Sequence, residues 1–422
     1  MTSLIIIGAG PGGYQAAVHA AKHGLKVIIF EEGHVGGTCL NVGCIPTKTY
    51  VHSATFAEAI ERQQQVVEQL RGGVETLLSH PAITLVRERA SFVDAHTVET
   101  PSGQRFTADN IIIATGSSAK LLPIEGADAP SVLTSTELLR LTELPRRLCI
   151  IGAGVIGMEF ASVFQRFGAE VTVVEYLKEC LPMVDADIAK RLRKLLEKRG
   201  ITFYMGAGVK AIRGTSVYFD QKGKELSVEA DVILMATGRK PNVSPDFANA
   251  GFDFDPRKGV LVDNHFQTTV PGIFAIGDVN GRQMLAHAAE MQGIHVVNSL
   301  LGLPDEMDFN IMPAAIFTEP EAACVGPSED QLKEARTPFE CHKAFYRANG
   351  KALAMKETEG MVKLCSEPNR GHILSCHAFG AHAADLVQEA SVLMCCRATV
   401  AQLSSMVHIH PTLGELLRMA AE

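Results

Sequence analysis

The most constraining feature of this chain is a strand–turn–helix–strand unit that occurs twice. In the first copy, the apolar run 4–7 leads into a glycine turn at 8–13, a helical stretch and a second apolar run, 27–30, which ends on Glu31. The spacing Gly-x-Gly-x-x-Gly permits a tight turn, a close approach of the backbone to a pyrophosphate, and close packing of helix on strand. The unit therefore predicts an α/β fold with a parallel sheet and a dinucleotide site.

The second copy repeats this order far downstream. The apolar run 148–151 leads into the turn 152–157, the run 171–174 ends on Glu175, and each acid lies 23 residues after the first glycine of its turn. The helix N-terminus would hold the phosphates and the acid the ribose hydroxyls. The spaced glycines are Gly8, Gly10 and Gly13 in the first copy and Gly152, Gly154 and Gly157 in the second. Two incidental strand–turn–helix units are the alternative, and they leave the shared spacing unexplained. We expect two dinucleotides, most simply a bound flavin (FAD) and a diffusing nicotinamide (NAD).

Glu175 also predicts which nicotinamide dinucleotide is used. A carboxylate favours the free 2′-hydroxyl of NAD and repels the 2′-phosphate of NADP. Tyr176 and Leu177 follow it, with no arginine cluster that could pair with a phosphate. The sequence therefore favours NAD over NADP.

Composition excludes several classes of protein. Of the 422 residues, 46% are hydrophobic and 20% are charged, which is typical of a globular chain rather than a disordered or fibrous one. The net charge of −8 disfavours general binding to polyanions. No apolar run approaches the roughly 18 residues of a membrane span. The first residues resemble neither a secretory signal nor a transit peptide, so we expect a cytoplasmic protein.

The ten cysteines need separate explanations. In a reducing compartment most should be free thiols. Four of them lie in apolar runs and are expected in the core: Cys149, Cys324, Cys365 and Cys376. The adjacent pair Cys395-Cys396 invites a metal or redox interpretation, but core packing is favoured because no ligand spacing lies nearby.

Cys39 and Cys44 stand apart from the other cysteines. Four residues separate them, so a disulfide would close too small a ring to stabilise the fold, and redox cycling is the better interpretation. Pro46 favours a helix that starts near Cys44, where the helix dipole stabilises a thiolate. A metal site would need further ligands, and His52 alone does not provide them, so we predict no metal.

A second cluster lies near the end of the chain. Pro411 suits the start of a helix, which leaves His410 just before it and Glu415 about one turn inside. Such a carboxylate can fix one imidazole tautomer and raise its basicity, as a general base requires. Two alternatives stay open from the residues alone: a capping histidine with a solvated Glu415, and a metal pair formed by His408 and His410.

Taken in order, these motifs resemble the class I flavoprotein disulfide reductases, the class I pyridine nucleotide-disulfide oxidoreductase family, and especially its members that oxidise dihydrolipoamide. Besides the glycine turns, the likeness rests on the segments 37–48, 236–242, 272–278, 284–287, 317–321 and 410–415. It implies two Rossmann-like dinucleotide-binding domains, for FAD and NAD, and a C-terminal α+β dimerisation domain. The implied segments are 1–117 (FAD domain, first part), 118–243 (NAD domain), 244–312 (completing the FAD domain) and 313–422 (interface domain).

The resemblance also implies roles for individual residues. Cys39 is similar to the thiol that forms a mixed disulfide with substrate, and Cys44 to the thiolate that faces the flavin. Lys48 and Glu159 resemble an ion pair near the flavin N5. The implied FAD contacts are Gly8, Gly10, Gly13, Glu31, Thr38, Lys48, Ala90, Thr115, Gly116, Asp278 and Ala286, with Ala90 standing where the family usually has a glycine. The implied NAD contacts are Gly152, Gly154, Gly157, Glu175 and Gly238.

The reaction that this resemblance implies is FAD-mediated oxidation of protein-bound dihydrolipoamide to lipoamide, with NAD⁺ as acceptor. His410 and Glu415 would act on the disulfide of a partner subunit, so a homodimer is implied. The other implied partner is a lipoyl-bearing protein of a 2-oxo acid dehydrogenase or glycine cleavage complex, with no nucleic acid and no membrane. The alternatives are an NADPH-dependent reductase of a glutathione-like disulfide or mercuric ion, and a redox-sensing flavoprotein scaffold.

Overall fold

A computed structural model describes residues 4–422 of the chain. It divides into two compact units. The first runs to Lys120 and resumes from Gly238 to Met307, and the second comprises 121–237 and 308–422. Over the described residues, no helix combines the length and the apolar character that a bilayer span requires.

The first unit is built around a five-stranded parallel sheet. Across the sheet its strands are Ile273–Ala275, Ile111–Ile113, Leu4–Ile7, Val27–Phe30 and Ile83–Val86. The central strand Leu4–Ile7 is apolar and buried throughout, as expected of a strand that is covered on both faces. The strands predicted at 4–7 and 27–30 are confirmed at those bounds.

The helix after the first glycine turn spans Pro11–Lys22 and packs along helix Ala286–Leu301. The contact is close because glycine lies in it. A Cβ added to Gly12 would lie 2.8 Å from the carbonyl oxygen of Ala289, well inside van der Waals contact. Pro11 starts the helix at a position where its missing N–H costs nothing.

The other elements of the first unit surround this sheet. Its further helices are Gly37–Val42, Cys44–Val51, Phe56–Leu78 and Phe247–Ala250, with a 3₁₀ turn at Gly277–Asn280. Strands Ser91–Phe92, Thr97–Glu99 and Arg105–Thr107 form a small antiparallel sheet. Two further antiparallel pairs are Ser117–Ala119 with Arg239–Pro241 and Phe254–Asp255 with Gly259–Val260.

The second unit contains a matching parallel sheet of five strands. In order they are Thr202–Met205, Glu170–Glu175, Arg147–Ile151, Val232–Met235 and Val132–Leu133. Strands Ala207–Arg213, Ser216–Gln221 and Lys224–Glu229 form an antiparallel sheet beside it. Its helices are Ser135–Leu138, Val155–Arg166 and Ala186–Lys198.

A five-stranded antiparallel sheet forms the C-terminal part of the second unit. In order its strands are Ala314–Ile316, Glu321–Val325, Ile373–Gly380, Met361–Ser366 and Glu340–Phe345. The helices are Glu329–Glu334, Gly350–Met355, Ala383–Cys395, Val400–Ser405 and Glu415–Ala421, with a 3₁₀ turn at Tyr346–Ala348. Leu386, Leu403 and Leu416 join the apolar core of this part. The α+β fold implied for the C-terminal segment is thus confirmed.

The cysteine predictions are partly right. Cys149, Cys324, Cys365 and Cys376 are buried, as predicted. The prediction of core packing for Cys395 and Cys396 is wrong, because both side chains are exposed. Cys395 follows the buried Met394 as the last residue of its helix and lies on the exposed side, and Cys396 caps that helix.

Candidate active site

The first glycine turn joins strand Leu4–Ile7 to its helix in a conformation that only glycine adopts readily. Gly8 has a φ of +104°, and a Cβ there would lie 2.4 Å from the carbonyl oxygen of Ala114. A Cβ on Gly13 would lie 1.9 Å from the carbonyl oxygen of Gly8. The first and third glycines therefore let strand, turn and helix pack closely.

The second turn has the same geometry. Gly152 has a φ of +107°, with its added Cβ 2.5 Å from the carbonyl oxygen of Ala236, and a Cβ on Gly157 would lie 2.0 Å from the carbonyl oxygen of Gly152. The repeat found in the sequence is therefore a repeat of structure as well.

The acid that ends each second strand braces the glycine turn of its own copy. The Ala9 amide donates to Glu31 Oε2 at 2.9 Å, and the Gly33 amide donates to Oε1 at 2.8 Å. In the second copy, the Ala153 amide donates to Glu175 Oε2 at 2.5 Å. The Leu177 amide donates to the other oxygen of Glu175 at 2.6 Å. Ionised carboxylate oxygens can each accept further hydrogen bonds, so ribose binding remains compatible with this bracing.

Both turns fit the pyrophosphate of a dinucleotide. Helices Pro11–Lys22 and Val155–Arg166 have glycine at the N-cap, no side-chain cap and no acidic residue in the first turn. No heavy atom lies within 4 Å of a Cβ added to Gly154, so the backbone there is open to a ligand. A helix N-terminus of this kind favours an anion through its N–H groups and dipole.

The predicted redox cysteines lie on two short helices that meet at Gly43. Cys39 belongs to helix Gly37–Val42 and is half-buried, whereas Cys44 is the first residue of helix Cys44–Val51 and is exposed. The two thiols form a hydrogen bond, which is the main reason that the pKa of Cys39 is raised; burial raises it further, and Lys48 opposes both. The two sulfur atoms are thus placed to form and break a bond.

Arg239 is a site residue that the sequence did not reveal. Its Nε donates to Ser117 Oγ at 2.7 Å, and Ser117 Oγ donates in turn to Asp278. Burial lowers the pKa of Arg239, against the opposing charges of Asp278 and Cys44. The guanidinium thus connects the predicted flavin-contacting acid with the Cys44 thiol. Its signal in the sequence was its place in segment 236–242, which supports the family resemblance but assigns Arg239 no role.

The remaining predicted FAD residues are distributed over the first unit. Thr115 and Gly116 follow strand Ile111–Ile113, and Thr115 exchanges two hydrogen bonds with Asn242, each 2.9 Å long. Asp278 lies in the 3₁₀ turn Gly277–Asn280, and Ala286 is the first residue of its helix. Thr38 lies in helix Gly37–Val42, and Ala90 is buried. Their contacts with FAD stay predictions.

Glu159 is buried in helix Val155–Arg166, where its Oε1 accepts the Phe317 amide at 2.9 Å. Lys48 lies in helix Cys44–Val51. The ion pair predicted between them stays a prediction. Gly238, the other residue predicted to contact NAD, has a φ of +99° that suits glycine.

The terminal cluster forms a histidine–carboxylate pair. His410 Nδ1 lies 3.0 Å from Glu415 Oε1, and the Thr412 amide donates to Glu415 Oε2 at 2.9 Å. The His410 side chain is 78% exposed, whereas that of Glu415 is 15% exposed. The Thr412 amide, followed by His410, lowers the pKa of Glu415, so the carboxylate is ionised at neutral pH. It therefore holds the Nδ1 proton and leaves Nε2 as the basic nitrogen.

The structure favours neither alternative for this cluster, the capping histidine or the metal pair of His408 and His410. His408 Nε2 lies 3.0 Å from Glu389 Oε1, so the two histidines contact different carboxylates. No group of three metal-ligating side chains is found within residues 4–422. Val407 and Ile409 are 99% and 80% exposed, an unusual degree for apolar side chains beside a histidine pair.

Comparison with known proteins was made for the whole chain. Residues 2–293 match the pyridine nucleotide-disulphide oxidoreductase family, and residues 312–421 match the dimerisation domain of pyridine nucleotide-disulphide oxidoreductases. Mitochondrial dihydrolipoyl dehydrogenase of Pisum sativum is 36% identical over 99% of this chain and 90% of its own length. Dihydrolipoyl dehydrogenase of Geobacillus stearothermophilus is 35% identical over 100% of this chain and 96% of its own. In a solved structure, the HOCl-induced flavoprotein disulfide reductase RclA from Escherichia coli superposes with a TM-score of 0.92 at 31% identity, covering 99% of each chain.

Proposed function

Because the chain belongs to the pyridine nucleotide-disulphide oxidoreductase family, whose members bind FAD, we propose that it oxidises protein-bound dihydrolipoamide to lipoamide with NAD⁺ as acceptor. The observation that carries the proposal is the contact between Cys39 and Cys44, since dithiol–disulfide exchange needs two thiols that can close a bond. FAD, held at the first glycine turn, would supply the two-electron chemistry that links the reduced cysteines to NAD⁺.

The chain's own residues account for the exchange steps. His410 Nε2 takes a proton from one substrate thiol, because Glu415 holds the opposite ring nitrogen. The substrate thiolate attacks Cys39 in the disulfide form, the Cys39–Cys44 bond breaks, and Cys44 leaves as the thiolate. The second substrate thiolate then attacks the substrate sulfur of the mixed disulfide. Lipoamide leaves with its own disulfide closed, and Cys39 and Cys44 remain as the reduced pair.

The proposal includes a homodimer in which His410 and Glu415 serve the cysteine pair of the partner subunit. The matched dimerisation domain and the exposed position of His410 support it. The substrate is then carried by a lipoyl-bearing protein of a 2-oxo acid dehydrogenase or glycine cleavage complex. Glu175 supports NAD over NADP, since a carboxylate at the end of the second strand accepts a hydrogen bond from the ribose 2′-hydroxyl of NAD and repels the 2′-phosphate of NADP.

A second candidate is a reductase that runs in the opposite direction and reduces a disulfide with a nicotinamide dinucleotide. The likeness to RclA supports it. One panel of assays separates the two: oxidation of NADH and of NADPH, each with lipoamide and with oxidised glutathione, together with NAD⁺ reduction by dihydrolipoamide.

We expect turnover with the lipoamide couple and NAD(H). Turnover only with NADPH, or only with glutathione, would favour the reductase. Purified protein that carries FAD but turns over none of these pairs would overturn both proposals in favour of a binding or sensing role.

A further inference from the structure

Cys341 and Cys365 face each other across two strands of the C-terminal sheet. Strand Glu340–Phe345 pairs antiparallel with Met361–Ser366, and Cys341 is the register partner of Cys365. Their sulfur atoms are 3.0 Å apart. We infer that Cys341 and Cys365 form a second redox-active thiol pair, separate from Cys39 and Cys44, which a peroxide closes to a disulfide.

The backbone already has the geometry that a disulfide needs. Directly opposed residues of an antiparallel pair have Cα atoms about 4.5–5.5 Å apart. A disulfide accepts Cα separations of about 4.4–6.8 Å and a sulfur–sulfur bond of about 2.05 Å. Small side-chain rotations that bring the sulfurs about 1 Å closer are therefore enough, with no change of register.

The two thiols differ in their exposure. Cys341 lies on the edge strand of the sheet and is exposed, whereas Cys365 is 2% exposed. Burial, together with a hydrogen bond to Cys341, raises the pKa of Cys365 to about 12, so this thiol stays protonated and unreactive towards solvent. An oxidant meets Cys341 first, and Cys365 is held in contact to resolve the product.

The chemistry balances with hydrogen peroxide as the oxidant. The Cys341 thiolate attacks one peroxide oxygen, the O–O bond breaks, and Cys341 becomes a sulfenic acid while hydroxide leaves. The Cys365 sulfur then attacks the Cys341 sulfur, the S–O bond breaks, and a second hydroxide leaves. It takes up the Cys365 proton to become water. Two thiols have lost two electrons, the peroxide has become two waters, and an added dithiol reverses the change.

The position of the pair gives the disulfide a structural effect. Lys343 and Lys363 are the next residues on the same face of these two strands, and they are themselves register partners. Lys343 Nζ lies 3.0 Å from Asp187, and Lys363 Nζ lies 2.8 Å from Asp185. A disulfide would therefore fasten the edge strand beside the ion pairs that connect this sheet to helix Ala186–Lys198.

Peptide mapping of the holoenzyme tests the inference directly. The protein is reduced, freed of reductant, treated with hydrogen peroxide, alkylated and digested with trypsin without reduction. Each cysteine of the pair lies in a separate tryptic peptide, 337–343 or 364–370, that contains no other cysteine. We expect these two peptides joined, two hydrogen atoms lighter than their sum, and separated again by dithiothreitol.

The same digest contains its own control. Cys39 and Cys44 share the tryptic peptide 27–48, so their disulfide appears within one peptide and reports that the oxidant acted. If that peptide is oxidised while 337–343 and 364–370 stay separate, or if Cys341 ends as a sulfinic acid, the inference is wrong.

Matched variants give a second measurement. Cys341→Ser removes the exposed thiol, and Cys395→Ser removes another exposed thiol of the same unit. We expect peroxide to raise the midpoint of thermal unfolding by a few degrees more in the wild type and in Cys395→Ser than in Cys341→Ser. Equal shifts in all three proteins would contradict a stabilising disulfide at this site.

Discussion

His410 and Glu415 show how two residues can divide the work of a base. Glu415 is held by the Thr412 amide and holds His410 in turn, while the imidazole stays exposed. The carboxylate is the fixed member of the pair, and in the proposed reaction the imidazole is the member that meets substrate. Replacing each residue should therefore slow dithiol exchange to a different extent.

We expect His410→Gln to slow dithiol exchange by about 10²–10⁴-fold, because the proton acceptor is lost. Glu415→Gln should cause a smaller loss, since the base remains but is held less firmly. Both variants should keep bound flavin and the flavin's absorbance spectrum. Stopped-flow reduction by dihydrolipoamide measures the exchange step.

Glu389→Gln is the matched control for these variants. It removes a carboxylate that lies 3.0 Å from His408, the same kind of contact two residues earlier in the chain. Its rate should stay near that of the wild type. A rate as low as that of His410→Gln would show that the whole segment, rather than His410, limits the reaction.

At the scale of the element, the glycine turns give the sharpest comparison. Gly157→Ala places a Cβ 2.0 Å from the carbonyl oxygen of Gly152, so helix Val155–Arg166 cannot keep its position. A Cβ added by Gly154→Ala meets no atom within 4 Å, and the backbone there is extended, with a φ of −75° that alanine adopts readily. We expect Gly157→Ala to lose about 1–3 kcal/mol of stability through overpacking, and Gly154→Ala to lose little.

The two variants should both weaken NADH binding, but for different reasons. Both variants should bind NADH more weakly, Gly157→Ala because the turn is displaced and Gly154→Ala because its methyl group occupies the approach to the pyrophosphate. Titration of NADH against the fully reduced enzyme, which cannot accept its hydride, measures binding, and thermal unfolding measures stability. If Gly154→Ala bound NADH as tightly as the wild type, the second turn would not be the pyrophosphate site.

The elements that were predicted well are those whose pattern of residues lies within one short segment of the chain. Strand Leu4–Ile7 was predicted at its exact bounds because a short apolar run that ends at a glycine turn is typical of a buried strand. The helix after it begins at Pro11, inside the predicted turn 8–13, because Gly12 and Gly13 are helical here despite their low propensity. The opposition of Cys341 and Cys365 could not be predicted, since it depends on the register of two strands.

The same distinction holds for the site. Cys39, Cys44, His410 and Glu415 were found because their partners lie within a few residues in the chain. Arg239 was missed because the residues that give it a role, Ser117 and Asp278, are distant in sequence. Cys395 and Cys396 were misplaced because an apolar helix pattern does not show which residues of the last turn lie on its exposed side.

At the scale of the whole molecule, a buried ion network joins the nucleotide-binding and C-terminal parts of the second unit. Lys363 contacts both Asp185 and Glu329, and the Asp185 amide donates to His377 Nδ1 at 2.9 Å. Burial alone would raise the pKa of Asp185, but its hydrogen bonds with Lys363 and the Glu329 amide, together with the charge of Lys363, outweigh burial and lower it. Hydrogen bonds from Lys333 and then Lys363 lower the pKa of Glu329 to about 2.

These shifts predict how stability depends on pH. The two acids have folded pKa values below their unfolded values of about 3.9 and 4.3, so their contribution is present above about pH 5 and is lost as the pH falls towards 2. Burial also lowers the pKa of His377, so its contribution is present above about pH 6.5 and is lost below it. The unfolding midpoint should therefore fall on acidification from pH 7, in two stages.

Lys363→Met tests the network. It leaves Asp185 buried without its cation, and we expect a loss of about 3–5 kcal/mol at pH 7 and a smaller further loss on acidification. Arg213→Met is the control, because it removes an exposed pair with Glu125 and should change stability far less. Equal losses in the two variants, measured by denaturant unfolding, would show that the buried network contributes no more than a surface pair.

The bracing of the glycine turns by Glu31 and Glu175 constrains how cofactor preference can change. A route from NAD to NADP that simply replaces Glu175 would also remove the acceptor for the Ala153 and Leu177 amides. The first step of such a route would therefore weaken the binding of both dinucleotides before any arginine could select one of them. A successful switch needs a neutral acceptor, such as serine or asparagine, at 175 together with the new cation. The proposed preference for NAD is thus tied to the architecture of the turn, and directed evolution would have to change it by paired rather than single substitutions.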